Sequence, residues 1–144
     1  MKALGDYFHS KSVGFGHYTA EGPTTCAGYP ASANNEVLDA QTFAEWGVDY
    51  LKVDGCGDPN YYPQGYKTMG SALLASGRDI VYSCSYPAYI NNGNETIQPF
   101  GEFINDGCNL WRNWNDISAR LHTNTLSLSL YIARAHTHTY TLSC

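Results

Sequence analysis

The sequence YLKVDGC, residues Tyr50–Cys56, decides the fold of this chain. Apolar and β-branched residues lead to a carboxylate and then to a glycine, which predicts a buried strand that ends at Asp54. In a barrel of parallel strands, the carboxyl ends of the strands hold the catalytic residues. Asp54 is therefore a candidate metal ligand, nucleophile or structural cap, with a simple Asp-Gly turn as the alternative. Lys52 lies two positions earlier, so its side chain is expected on the same side of the strand.

The composition favours one ordinary domain and argues against a nucleic-acid partner, because the 144 residues carry a net charge of -5. Aromatic residues make up 14% of the chain, which is typical of sugar-binding proteins and also of ordinary well-packed ones. No window is long and apolar enough to predict a membrane span. Residues 1–6 lack the apolar core of a signal peptide.

The five cysteines contain no C-x-x-C pair, so we expect no zinc site. Four of them lie in the part that resembles a globular domain and could form two disulfides, with three possible connectivities. Asn94 opens the sequence Asn-Glu-Thr, an acceptor motif for N-glycosylation. Disulfides and glycosylation both indicate an oxidising, secretory compartment. The absence of a signal peptide contradicts that interpretation unless Met1 is not the true N-terminus.

The hydrophobic pattern predicts helices that alternate with parallel strands, and therefore an α/β fold. The helices are expected at residues 1–12, 39–46, 64–76 and 95–106, and the strands at residues 14–18, 50–53, 80–83 and 110–112. A closed eight-stranded barrel needs about 250 residues. Residues 1–118 are therefore expected to form an incomplete (β/α)8 barrel, about half of a catalytic domain.

Residues 119–144 differ in kind from the rest of the chain, because all 13 acidic residues precede them. This tail alternates Leu with Ser and then His with Thr, as translated simple-sequence DNA does. We expect it to be a poorly packed or disordered low-complexity segment, with a metal-binding stretch formed by His122, His136 and His138 as the alternative.

The motif Leu51–Cys56 resembles the Leu-Lys-x-Asp-Gly-Cys pattern of the family-27 glycoside hydrolases, the α-galactosidases and α-N-acetylgalactosaminidases. His17 departs from the family, which has Gly-Ile-Tyr where this chain has Gly-His-Tyr. Six further blocks resemble the family in the same order along the chain: Tyr7–Lys11, Gly16–Tyr18, Thr25–Pro30, Asp39–Trp46, Ser83–Tyr89 and Cys108–Asn113.

The resemblance implies a retaining mechanism with two carboxylates and no cofactor or metal. Asp54 corresponds to the nucleophile and Asp116 to the acid/base, although the residues alone would make Asp116 a helix cap. The positions that correspond to sugar-binding residues are Tyr18, Lys52, Cys56, Ser85, Ala88, Tyr89 and Arg112. Their alternatives include plain core packing for Tyr18 and an ion pair for Arg112.

The same resemblance implies disulfides between Cys26 and Cys56 and between Cys84 and Cys108, with Cys144 unpaired. Ser85 and Ala88 occupy the positions that determine specificity. The α-galactosidases have Glu and Leu there, whereas the α-N-acetylgalactosaminidases have Ser and Ala, which leave room for an acetamido group. Drift of this loop without consequence is the alternative.

The expected function is therefore hydrolysis of terminal α-linked N-acetylgalactosamine or α-galactose from glycolipids, glycoproteins or oligosaccharides. By resemblance the enzyme is lysosomal or secreted, and full-length members are homodimers. The family's first two strands, with their pair of sugar-binding aspartates, have no counterpart here. The chain as written is therefore expected not to hydrolyse glycosides by itself. The alternative function is thus that of a truncated, inactive fragment or a gene-model artefact with at most weak sugar binding.

Overall fold

The computed structural model describes residues 1–91 and 97–114, and the predictions for Asn94, Asp116, Cys144 and the tail of residues 119–144 lie outside them. Four helices and four strands alternate along the described residues, as the hydrophobic pattern predicts. They are α1 (Lys2–Ser10), β1 (Gly16–Ala20), α2 (Glu36–Trp46), β2 (Tyr50–Asp54), α3 (Tyr62–Ala75), β3 (Val81–Cys84), α4 (Phe100–Asn105) and β4 (Leu110–Trp111), with a 3-10 helix at Tyr86–Tyr89.

The four strands form one sheet in the order β1-β2-β3-β4, and every pair is parallel. Ala20 lies beside Asp54 and Val53 beside Cys84, so the carboxyl ends of neighbouring strands meet at one edge of the sheet. The predicted α/β class with parallel strands is confirmed. Among the described residues, antiparallel pairing occurs in an isolated bridge between Thr24 and Pro30, in the loop after β1.

The core lies between the sheet and the helices. Leu51 and Val53 of β2 are fully buried and pack in one cluster with Phe43 of α2 and with Tyr66 and Met69 of α3. Because side chains alternate along a strand, burial of these two residues turns the intervening and following side chains, at positions 52 and 54, to the opposite face. Complete burial of one such aliphatic side chain stabilises the fold by about 1.5–3 kcal/mol.

Glycine is required at two positions of this core, one at a helix end and one at a close contact between two segments. Gly47 ends α2 with φ 77°, the left-handed conformation that glycine adopts without a steric penalty. The N–H of Gly47 donates to the carbonyl of Ala44, and the N–H of Val48 donates to that of Phe43. Gly70 lies in the middle of α3, where an added Cβ would overlap the carbonyl oxygen of Asp106. A side chain at Gly70 would therefore push the segment after α4 away from α3.

Strand β1 lies two residues later than predicted, because Thr19 and Ala20 pair with Val53 and Asp54 rather than beginning the loop. Helix α2 begins at Glu36 instead of position 39, and α3 begins at Tyr62, since Pro63 is compatible with the first turn of a helix. Helix α4 begins at Phe100 rather than at position 95, directly after Pro99, and the remaining elements lie within a few residues of their predicted positions. None of the helices in the described part of the chain is sufficiently long and apolar to span a membrane.

Candidate active site

Asp54 is the last residue of β2, and its side chain lies at the edge where the carboxyl ends of the strands meet. The residue is only 8% exposed. Tyr89 Oη donates to its Oδ1 at 2.5 Å, and the N–H of Gly55 donates to the same oxygen at 2.9 Å. Tyr18 Oη donates to its Oδ2 at 3.1 Å. Both carboxylate oxygens are therefore fixed by hydrogen-bond donors.

The neighbours of Asp54 favour its ionised form. Burial by itself would raise the pKa of this carboxyl, but the hydrogen bonds from Tyr89 and Gly55, the charge of Lys52 and the hydrogen bond from Tyr18 outweigh that effect. The pKa of Asp54 is consequently held below its usual value. A carboxylate that stays ionised in acid can act as a nucleophile or as a general base.

Lys52 lies beside Asp54 on the same face of β2, as its position in the sequence predicts. Its Nζ is 3.7 Å from Asp54 Oδ2 and 5.6 Å from the centre of the Tyr18 ring. Burial, and then the negative charge of Asp54, raise the pKa of Tyr18 to about 12, so this phenol remains a hydrogen-bond donor. Lysine, tyrosine and aspartate thus form one connected cluster on β1 and β2.

Tyr89 and Arg112 bring the two later strands into the same cluster. Tyr89 ends the 3-10 helix after β3, and the guanidinium carbon of Arg112 lies 4.8 Å from the centre of its ring. The N–H of Arg112 donates to the carbonyl of Cys84, which fixes the residue directly after β4. A cation over an aromatic face is attracted to the ring, so Arg112 packs against the same tyrosine whose hydroxyl donates to Asp54.

Ser85 and Ala88 lie between β3 and Tyr89 and are both buried. The N–H of Ser85 donates to the carbonyl of Val53 at 3.1 Å, which holds Ser85 next to the end of β2. The N–H of Ala88 donates to the carbonyl of Ser85 at 3.1 Å. Both residues predicted to set specificity are therefore held in one short turn beside Asp54.

Both predicted disulfides, Cys26–Cys56 and Cys84–Cys108, are present. The first joins the loop after β1 to the residue two positions beyond Asp54, and the sulfur of Cys56 is 3.8 Å from Tyr18 Oη. The sulfurs of Cys26 and Cys56 and the Asp54 carboxylate lie within 4.8 Å of one another, a spacing that could suit a metal ion. Because the disulfide bond already joins the two sulfurs, they are not available as thiolate ligands.

The sequence analysis missed Glu21, which follows β1 and is fully buried beneath this edge of the sheet. Burial, followed by the negative charge of Glu36, raises the pKa of Glu21 to about 8. Its position after two small residues and before Gly22 is typical of a loop, so the sequence offers no signal of burial.

The opposite end of the sheet has a different character. Asp49 accepts hydrogen bonds there from Arg78 at 2.6 Å and from the N–H of Phe15 at 2.7 Å, and it lies 2.7 Å from His9 Nε2. A cavity of about 720 Å³ beside it includes Gln41 among its lining residues. Polar residues at this amino-terminal end of parallel strands more often support stability than chemistry.

Known proteins resemble this chain over most of its length. The family model described as Alpha galactosidase A matches residues 1–138. The alpha-N-acetylgalactosaminidase of Gallus gallus is 47% identical over 119 residues, which cover 81% of this chain and 29% of that protein. The Homo sapiens alpha-N-acetylgalactosaminidase is 48% identical over 116 residues, covering 79% and 28%. The Homo sapiens alpha-galactosidase A is 44% identical over 123 residues, covering 81% and 27%.

Solved structures of alpha-galactosidases are also similar to this chain. The Saccharomyces cerevisiae alpha-galactosidase solved with raffinose has a TM-score of 0.61 and 36% identity, and the match covers 77% of this chain and 24% of that one. Alpha-galactosidase I of Mortierella vinacea has a TM-score of 0.54 and 42% identity, with 58% and 22% covered. The parallel sheet described here therefore corresponds to part of a (β/α)8 barrel. The chain spans 27–29% of the length of the curated relatives named above.

Proposed function

This chain belongs to the alpha-galactosidase A family of glycoside hydrolases, and we propose that it contains the nucleophile side of a retaining α-glycosidase active site. The observation that supports the proposal most is the environment of Asp54. Two phenols, one peptide N–H and one ammonium group surround its carboxylate. A nucleophile must be ionised before it attacks, and these groups keep Asp54 ionised at acidic pH.

In the proposed reaction, an Asp54 oxygen attacks the anomeric carbon while the glycosidic bond to the leaving oxygen breaks. A second carboxylic acid donates a proton to that oxygen, and the same group later removes a proton from the water that releases the sugar. Asp116 is the proposed acid/base, and it lies outside the described residues. It would follow β4, which is separated from β2 only by β3 in the sheet.

The proposed sugar-binding groups are the polar side chains around Asp54. Lys52 and Tyr18 would contact hydroxyls, and Arg112 would reach the substituent at carbon 2. Ser85 and Ala88 would accept an acetamido group there, which favours α-N-acetylgalactosaminides over α-galactosides. The curated relatives named α-N-acetylgalactosaminidase and α-galactosidase A are consistent with either sugar. By the same family resemblance, we propose a lysosomal or secreted location.

The test is covalent labelling of the chain, folded with both disulfides intact, by a fluorinated α-glycosyl fluoride. Fluorine on the sugar ring slows hydrolysis of the glycosyl-enzyme more than its formation, so the adduct accumulates for mass spectrometry. We expect one sugar on Asp54, no adduct in Asp54→Asn, and normal labelling in Asp58→Asn, a change of an exposed aspartate in the next loop. The N-acetylgalactosaminyl reagent should label faster than the galactosyl reagent.

The variant Ser85→Glu with Ala88→Leu should reverse this order, because the larger side chains exclude the acetamido group. Labelling that persists in Asp54→Asn contradicts the nucleophile assignment. An unlabelled but folded chain, with sugar binding still detectable by NMR, would favour the alternative of an inactive fragment that retains only binding.

A further inference from the structure

The carboxyl group of Glu21 is an unusual feature beneath the site. The residue is fully buried, and neither of its oxygens accepts a hydrogen bond from any donor in the described residues. An isolated ionised carboxylate in such a position is strongly destabilising, because it has lost its hydration without gaining a partner. Burial of Glu21 therefore requires either a hydrogen-bond partner or a proton on its carboxyl group.

Glu36, the first residue of α2, is the partner available to a protonated Glu21. Its Oε1 accepts hydrogen bonds from Tyr61 Oη at 2.5 Å and from the N–H of Asn34 at 3.0 Å, so it already has donors suited to an ionised carboxylate. Glu21 has none. The side chains of Glu21 and Glu36 lie within hydrogen-bonding reach of each other. If Glu21 carries a proton, it can donate an O–H···O hydrogen bond to Glu36, and its carboxyl group is no longer without a partner.

The backbone of Glu21 connects this pair to Asp54. The N–H of Glu21 donates to the carbonyl of Asp54 at 2.8 Å. The adjoining backbones pack so closely that a Cβ added at Gly57 would lie 2.8 Å from the carbonyl oxygen of Glu21. On the other side, a Cβ added at Gly65 of α3 would lie 2.5 Å from Glu21 Oε2. The carboxyl group of Glu21 is thus confined by α3, while the backbone of the same residue is confined by the segment after Asp54.

We propose that Glu21 and Glu36 share one proton, and that this shared proton fixes the loop from Asp54 to Gly57. Glu21 is on this account a positioning residue, which acts on Asp54 through the peptide backbone. The inference requires only the contacts of the described residues and does not depend on the proposed glycosidase function.

The direction of the pH dependence follows from the raised pKa. In the folded chain the pKa of Glu21 is about 8, whereas its ordinary value is 4.5. The folded state therefore binds the proton more tightly, and stability is full below pH 4.5 and falls as the pH rises towards about 8. The titratable groups that act on Glu21 or that it acts on, from each neighbouring element, are Glu36 and Asp39 of α2, Tyr61 before α3, Tyr66 of α3 and Tyr82 of β3.

The decisive experiment compares the chain with its Glu21→Gln variant by denaturant unfolding across the pH range. Glutamine has the same shape and always offers an N–H donor to Glu36. We expect the folding equilibrium constant of the original chain to fall by up to about tenfold per pH unit between pH 4.5 and about 8. Glu21→Gln should remove that component, whereas Glu45→Gln, an exposed change on α2, should leave it intact.

Protonation of His17 destabilises the fold, whereas protonation of Glu21 stabilises it. The quantity to be measured is therefore the difference in stability between the original chain and Glu21→Gln at each pH. A second measurement avoids any folding defect of the variant. Carboxyl 13C NMR of the original chain should show Glu21 titrating near pH 8, and the Glu21 amide should lose hydrogen-exchange protection over the same range.

An equal pH dependence in the chain and Glu21→Gln would overturn the proposal, as would titration of Glu21 near pH 4.5. Stabilisation by added calcium or magnesium that vanishes in Glu21→Gln would also overturn it, because the pair would then hold a cation rather than a proton.

Discussion

Tyr89 makes the shortest hydrogen bond to Asp54, and its removal gives the clearest prediction for a single residue. Tyr89→Phe keeps the ring under Arg112 but deletes the hydroxyl that donates to Oδ1 at 2.5 Å. A hydrogen bond to a charged group contributes about 1.5–3 kcal/mol. We therefore expect the pKa of Asp54 to rise by about one or more, as measured by carboxyl 13C NMR titration.

Two controls accompany this change. Tyr18→Phe should raise the pKa of Asp54 less, because the Tyr18 hydroxyl lies farther away, at 3.1 Å. Tyr29→Phe alters a tyrosine that is 71% exposed and should have no effect. An unchanged Asp54 pKa in Tyr89→Phe would mean that this hydroxyl does not determine the charge of the carboxylate.

Some of these residues could be predicted from the sequence and others could not. The shared face of Lys52 and Asp54 follows from the two-residue period of a strand, and the structure confirms it with a 3.7 Å separation. Glu21 could not be found in this way, because its burial arises from the closure of α2 and α3 over the end of β1. Nothing in its own neighbourhood of the sequence encodes those long-range contacts.

At the scale of elements, β1 contains a residue that suits its position poorly. His17 lies on the helix-facing side of the strand, with its ring centre 5.0 Å from that of Phe43 and 5.5 Å from that of Trp46. Burial lowers the pKa of His17, because the charged imidazolium would lose its hydration among these rings. The family pattern Gly-Ile-Tyr, which this chain resembles here, has isoleucine at the position of His17.

We predict that His17→Ile stabilises the chain in acid. The folded state disfavours protonated His17, so stability is full above its ordinary value of 6.5 and is lost as the pH falls through the lower folded pKa. Isoleucine does not titrate and also favours a strand. The gain in Tm, measured by circular dichroism, should be larger near pH 5 than near pH 7.

The exposed His9 offers a comparison on α1, because its ring lies against the carboxylate of Asp49. His9→Gln should not reproduce the acid-specific gain. An equal gain at both pH values in His17→Ile would show that shape, and not protonation, determines the effect.

Element order was predictable because the hydrophobic period and the turn residues change together along the chain. Boundaries were less predictable where pairing overrides local pattern. Thr19 reads as the start of a loop, yet it extends β1 because it pairs with Val53 and its hydroxyl lies 2.7 Å from that of Ser32. The 3-10 helix at Tyr86–Tyr89 was predicted as plain loop, since proline and alanine in a short turn give little periodicity.

At the scale of the whole molecule, the parallel sheet separates two polar clusters. Asp54 and its phenols lie at the carboxyl ends of the strands, whereas Asp49 joins α1 to the segments that precede β1 and β3 at the amino ends. Burial by itself would raise the pKa of Asp49, but hydrogen bonds from Phe15, His9 and Arg78 hold it below its ordinary value. Stabilising contacts and candidate chemistry therefore occupy opposite ends of one sheet.

The two disulfides provide the last prediction, because they close loops of similar length in different places. Cys26–Cys56 spans 30 residues beside the candidate site, and Cys84–Cys108 spans 24 residues and joins the end of β3 to the start of β4. The loop-entropy relation gives roughly 3.5 kcal/mol of stabilisation for each. Replacing either pair with alanine should therefore lower the free energy of unfolding by a similar amount, as measured by denaturant titration.

The effect on the site should nevertheless differ between the two variants. Cys56 lies 3.8 Å from the Tyr18 hydroxyl and directly follows Gly55, whose N–H donates to Asp54. Loss of the Cys26–Cys56 bond should therefore weaken the donors around Asp54 and raise its pKa in the carboxyl 13C titration. Loss of the Cys84–Cys108 bond should change that pKa less at the same degree of folding. If both variants shifted the Asp54 pKa equally, the first disulfide would have no special role in fixing the site, and its contribution would be to stability alone.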